Sequence, residues 1–255
     1  MSDELQMPRV FIWVLHRDRC WINSEPVRLI VGPDGKEFVI HESLLITMSE
    51  EMGKKVSRDK TINLPTTDPI VVACLLEFAY SGDFESPGFE QMNPNSILGQ
   101  TERIYAEPDF GRVRELSRAW GTFVSKPPQY EDDQIVYDVA WEEAEGDDFC
   151  TIAKVYDIAE DYKIEELKNL CCSKLHRLMV YHQQHVDIVQ FLSHCADRFD
   201  SRDLIELAVE YATLMMEFNK DDEDFIALLA AKPRLAAAIL CRLTAIHREY
   251  AESGN

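Results

Sequence analysis

The sequence predicts an α+β fold: a short sheet packed on helices, followed by a helical C-terminal region. Three observations lead there. Apolar and polar residues alternate from Val27 to Ile40 around a turn-dense Gly32-Pro33-Asp34-Gly35. Apolar residues recur at helical spacing in the later stretches of the chain. No internal repeat appears, which excludes a propeller.

Val27, Leu29 and Val31 alternate with Arg28 and Ile30, as one mostly buried strand requires. Phe38 and Ile40 do the same on the returning strand, after a turn in which proline presets its own φ and the glycines tolerate positive φ. His41 to about Met52 fits one short helix with Leu44, Leu45 and Met48 on one face. Thr61–Leu64 is a short strand ending at Pro65, which has no N–H for a ladder. Thr67 or Asp68 caps the next helix, Pro69 takes its first turn, and Gly82 suits its C-cap. Ahead of these elements, Arg9–Leu15 reads as a strand or docked segment.

The order of short motifs resembles the BTB/POZ domain family. Gly35-Lys36-Glu37-Phe38-Val39-Ile40-His41 leads into Ser43-Leu44-Leu45, then come Leu64-Pro65, Asp68-Pro69, Leu75-Leu76-Glu77-Phe78 and Tyr80-Ser81-Gly82-Asp83. Ala153–Lys168, with Tyr156, Tyr162 and Leu167, is similar to that family's later helix pair. The resemblance implies a non-enzymatic protein–protein interaction module acting as adaptor or scaffold, with no cofactor and with other proteins as partners. It divides the chain into an N-terminal segment 1–24, a first half-domain 25–84, an acidic insert 85–148, a second half-domain 149–180 and a helical extension 181–255. Asp224–Ala236 resembles the extension common in fungal-type BTB proteins.

The insert of about sixty residues is far longer than an ordinary connection. Its start is turn-rich. Arg112–Val124 then places Val113, Leu116, Trp120 and Phe123 at helical spacing, and Lys126-Pro127-Pro128 closes that piece. From Glu131 to Asp148 there are nine carboxylates and no Lys or Arg, interspersed with Ile135, Val136, Tyr137, Val139 and Trp141. Such composition predicts a disordered or loosely docked insert. Beyond it, Ile152, Val155, Tyr156 and Ala159 form one helical stripe, and Ile164, Leu167, Leu170, Cys171, Leu175 and Leu178 a second. Val186–Phe199, Ser201–Glu217, Asp221–Ala230 and Pro233–Glu249 read as four further helices, with Ser201 a simple N-cap.

With 26 basic and 46 acidic residues the net charge is −20, which argues against nucleic acid and anionic membrane surfaces as partners. The apolar run Val10–Leu15 is too short for a secretory core or a membrane span. Seven cysteines, odd in number and without C-x-x-C spacing, predict reduced thiols and an intracellular protein of cytoplasm or nucleus.

Two groups invite a chemical reading. Cys171, Cys172, His176, His182 and His185 contain an i, i+4 pair and an H-x-x-H, but no C-x₂₋₄-C spacing of a structural zinc site, so no metal is expected. His194-Cys195 cannot form a nucleophile–base pair, because neighbours on a helix point about 100° apart. An enzyme with an unrecognised Cys/His site is therefore the remote alternative. A cullin-RING ubiquitin-ligase substrate adaptor is the nearer one. The resemblance implies apolar partner contacts after the His-led helix, which here fall on Met48, Met52 and Val56, with inward packing the equal reading for all three. The family's Ser-Pro-x-Phe is Ser49-Glu50-Glu51-Met52 here, and Arg58 stands where a glutamate would engage a cullin scaffold. A homodimer through a swapped N-terminal strand would use Arg9–Leu15, though Cys20–Pro26 intervenes, and a monomer stays equally open.

Overall fold

The computed structural model describes residues 21, 23–85, 110, 113–126, 146–181 and 188–253. Within them a small mixed sheet near the N-terminus is followed by eleven helices. Strand β1 (Pro26–Val31) is central, antiparallel to β2 (Lys36–His41) and parallel to β3 (Thr61–Leu64), giving the order β2-β1-β3. The alternation reads out directly: Val27, Leu29 and Val31 are fully buried while Arg28 faces out. Gly32 and Gly35 sit at φ 72° and 65°, and Gly35 N–H donates to the Gly32 carbonyl at 3.2 Å. A side chain at either position would be strained, which is why this turn needs glycine.

Helix α1 (Glu42–Met48) buries Leu44, Leu45 and Met48. The single helix expected to run on to Met52 instead breaks at Ser49 (φ −150°, ψ 110°), and a second short helix, α2 (Glu50–Gly53), begins there. Ser49 Oγ accepts from Met52 N–H at 3.0 Å and donates to the Tyr162 carbonyl at 2.7 Å. A distant tertiary contact thus fixes the break. Helix α3 (Pro69–Ser81) follows expectation at both ends. Asp68, rather than Thr67, caps it by accepting from Ile70 N–H at 2.9 Å, and Gly82 closes it at φ 84°.

Helix α4 (Arg114–Val124) lies where helical spacing predicts it, yet it is not loosely held. Leu116, Trp120 and Phe123 are buried in the common core, with the Phe123 ring 4.6 Å from His176 and 6.2 Å from Tyr211. Expectations for Arg9–Leu15, for the turn-rich 86–109 stretch and for the acidic run over 131–145 lie outside the described residues.

Helix α5 (Gly146–Asp161) starts three residues before Phe149 and pairs with α6 (Glu165–Tyr181), and both predicted stripes are buried. The extension supplies α7 (Ile188–Asp197), α8 (Arg202–Leu214), the short α9 (Met216–Asn219), α10 (Glu223–Ala231) and α11 (Pro233–Ser253). Asp222 caps α10 by accepting from Asp224 and Phe225 N–H. Ser201 makes no cap bond. Its hydroxyl instead donates to Glu160 on α5, because that carboxylate lies within reach and satisfies it more strongly than a backbone N–H would. The buried apolar residues form one cluster running from Val27 to Ile246, so sheet, helix pair and extension share a core.

Candidate functional site

The motif residues meet in space. His41 begins α1 and Tyr80 ends α3, and they touch: Tyr80 OH accepts from the His41 N–H at 3.3 Å and lies 2.9 Å from His41 Nδ1. Trp21 stacks edge-on to both rings, at 5.3 and 5.7 Å. The histidine makes no side-chain cap on α1; it ties the end of the sheet to the end of α3.

A broad concavity borders the same sheet. It is a groove of about 1140 Å³ between the Gly32–Asp34 turn, the outer edge of β3 with its Pro65–Pro69 continuation, and α5 with Tyr162. Its cations are Lys36, Lys55 and Lys154, and its carboxylates include Asp68, Asp157 and Asp161. Lys55 lies over the Tyr162 ring at 4.5 Å and donates to its hydroxyl at 3.2 Å, while Lys154 stands 3.9 Å from Asp68. The edge of β3 is partly closed. Thr61 N–H donates to Ser57 Oγ and its carbonyl accepts from Ser57 N–H, whereas Asn63, next along the same side, has neither backbone group paired among the described residues. The arrangement can accept polar chain atoms and charged side chains. Among the described residues it holds no cysteine or serine facing a base.

Met48 and Met52 are 7% and 0% exposed, so they pack inward and are not open to a partner; Val56 is half-buried against the core. The Ser49 break explains Met52, because it turns α2 down onto the core. What the segment presents outward is mainly charge, Glu50, Glu51 and Lys54 in mutual ion pairs, with Ile46 exposed nearby.

The Cys/His groups are occupied by structural work. His176 Nε2 donates to the Phe123 carbonyl at 2.8 Å, and burial holds the ring below its ordinary pKa, favouring the neutral form. Burial also pushes the Cys171 thiol well up and Cys172 up to about 12. Among the described residues no three His, Cys, Asp or Glu side chains gather as a metal site; His182 and His185 lie outside those residues. His194 turns from Cys195 toward α5, with Nε2 2.8 Å from Asp157 Oδ2, and the buried Cys195 thiol is likewise raised.

Sequence reasoning missed the groove residues Lys55, Asn63 and Lys154. Tyr162 was quoted only as part of a helix motif. Their convergence depends on β3 lying parallel beside β1 and on the Ser49–Tyr162 bond, neither of which leaves a spacing signal. Comparison with protein-family models finds no match to the chain, and comparison with curated proteins finds none either. Among the described residues no helix is long and apolar enough to cross a membrane.

Proposed function

We propose that this chain is a non-enzymatic protein-interaction module of BTB/POZ type, acting as an adaptor or scaffold inside the cell. The observation that carries the reading is the meeting of the motifs: the residues from Phe38-Val39-Ile40-His41 to Tyr80-Ser81-Gly82, and the Tyr156–Leu167 helix pair, are the ones that join sheet, α3 and α5. Raised thiols and engaged histidines support the non-enzymatic part, and the odd cysteine count supports the intracellular part.

The partner surface proposed is the groove along β3 and α5. Its mixed charge and its Asn63 backbone, unpaired among the described residues, suit an extended segment of another protein, paired at the edge and held by side-chain charges. The cullin-adaptor reading gains no such support, because Met48 and Met52 are buried and an arginine, Arg58, stands in the sequence where that reading needs a glutamate. The test is capture of partners by the full chain from cell extract, comparing wild type with Lys55→Glu plus Lys154→Glu. A defined protein retained stoichiometrically by wild type and lost by the groove variant is the expected result. Partners retained equally by both would refute the groove assignment.

A further inference from the structure

A second groove, of about 730 Å³, runs between α8 and α11 on the C-terminal extension. On α8, Arg202, Ile205, Glu206, Val209 and Glu210 follow i, i+3, i+4, i+7, i+8 spacing; on α11, Arg234, Ala238 and Arg242 follow i, i+4, i+8. The two faces are therefore opposed along their length. Phe199, Ile205, Val209 and Ala238 make an apolar floor, and Lys126, at the end of α4, closes one side.

The charge here departs from the rest of the chain. Overall, 46 acidic residues outnumber 26 basic ones, yet this groove gathers four cations (Lys126, Arg202, Arg234 and Arg242) against three carboxylates (Asp200, Glu206 and Glu210). Glu210 pairs with both Lys126 and Arg242, and Arg242 pairs also with Glu249, so the positive charge the rim has to offer lies on Arg202 and Arg234. Arg202 pairs with Glu206 only at the surface, its side chain 85% exposed, so an incoming carboxylate exchanges with that pair at little cost. Arg234 lies with its guanidinium 4.3 Å over the Phe199 ring and has no carboxylate partner among the described residues. Its planar donors are held in place and open to a carboxylate.

We propose that the α8–α11 groove docks an acidic amphipathic helix of a partner protein, with apolar side chains on the Phe199–Ala238 floor and carboxylates on the arginine rims. Two helices flanking an apolar trough offer a third helix a seat, and the rim charge selects an acidic one. Phosphate-rich nucleic acid is disfavoured by the apolar floor and by the net charge of −20. This inference goes beyond the proposed β3-groove function and stands whether or not that groove binds anything.

The experiment is fluorescence anisotropy of the full chain with a labelled synthetic helix rich in Glu and carrying Leu and Phe at i, i+3, i+4, i+7 spacing. The expected result is saturable, salt-sensitive binding, weakened at least about tenfold by Arg202→Glu plus Arg234→Glu. Replacing Leu and Phe by Ser, or Glu by Lys, should abolish it, and Lys55→Glu should leave it unchanged. Arg202→Glu alone, at a largely exposed side chain, keeps the test valid where the double variant fails to fold. Binding indifferent to both variants overturns the proposal, as does equal binding of the Ser-substituted peptide or tighter binding of a single-stranded oligonucleotide. Binding that appears only in a chain lacking residues 131–145 makes that acidic run the occupant and overturns the assignment to a partner.

Discussion

Replacing Ser49 by alanine removes one oxygen that serves two backbone groups, one of them on Tyr162, 113 positions along the chain. Ser49 is 3% exposed; it accepts from Met52 N–H at 3.0 Å and donates to the Tyr162 carbonyl at 2.7 Å. Losing an N-cap costs about 1 kcal/mol, and leaving a buried carbonyl without its donor costs about 1–3 kcal/mol. The sum is about 2–4 kcal/mol, a fall in melting temperature of roughly 4–16 °C for a chain of this size. Urea unfolding followed by far-ultraviolet circular dichroism measures it, as a lower midpoint at unchanged slope. Ser49→Thr keeps the oxygen and should lose less. Glu50→Ala, at a neighbouring side chain 82% exposed, should stay within about 0.5 kcal/mol of wild type. A Ser49→Ala loss below about 0.5 kcal/mol would refute the reasoning, because it would mean that the α1–α2 junction and the end of α5 are not joined through this residue.

Other expectations follow from the same core. Phe123→Ala should cost about 3–5 kcal/mol in urea unfolding, since the ring is fully buried; a loss under about 1 kcal/mol would mean that α4 is not docked. His176 has a folded pKa held below its unfolded value near 6.5 by burial, so the unfolded state takes up the proton first as pH falls. The stability this group contributes is complete above about pH 6.5 and is lost as pH drops toward and through the folded value. His176→Gln keeps an N–H donor for Phe123 and should show a shallower loss between about pH 7 and pH 5 by chemical unfolding; identical pH slopes would contradict the assignment.

Much of the N-terminal architecture was legible because it rests on local chemistry. Gly32 and Gly35 demand the turn they make, Asp68 and Pro69 start α3, and Gly82 ends it in the left-handed region. The strand alternation gave the buried face of β1 directly. What failed depended on distant neighbours. Ser49-Glu50-Glu51-Met52 continues a helical pattern, and only the Tyr162 carbonyl reveals the break. Spacing assigns Met48 and Met52 to a face but not to inside or outside; Met48 packs inward with Leu44 and Leu45 on α1, and the break turned Met52 inward on α2. Ser201 has the residue type of a cap, yet a nearby carboxylate on α5 claimed its hydroxyl. The helical period of Val113–Phe123 was visible, whereas its seat against His176 and Tyr211 was not, because acidic sequence on its C-terminal side suggested a solvated segment. Both grooves stayed hidden for the same reason: each is assembled from elements far apart in the chain.

The central claim is that this chain works by holding another protein. Its most direct test is light scattering on the material purified by capture with the full chain. The account predicts a discrete complex heavier than the 29.4 kDa chain, containing a second protein in fixed ratio and lost with Lys55→Glu plus Lys154→Glu. A species containing this chain alone, accompanied by turnover of a small molecule that Cys171→Ala or His194→Ala abolishes, would contradict it.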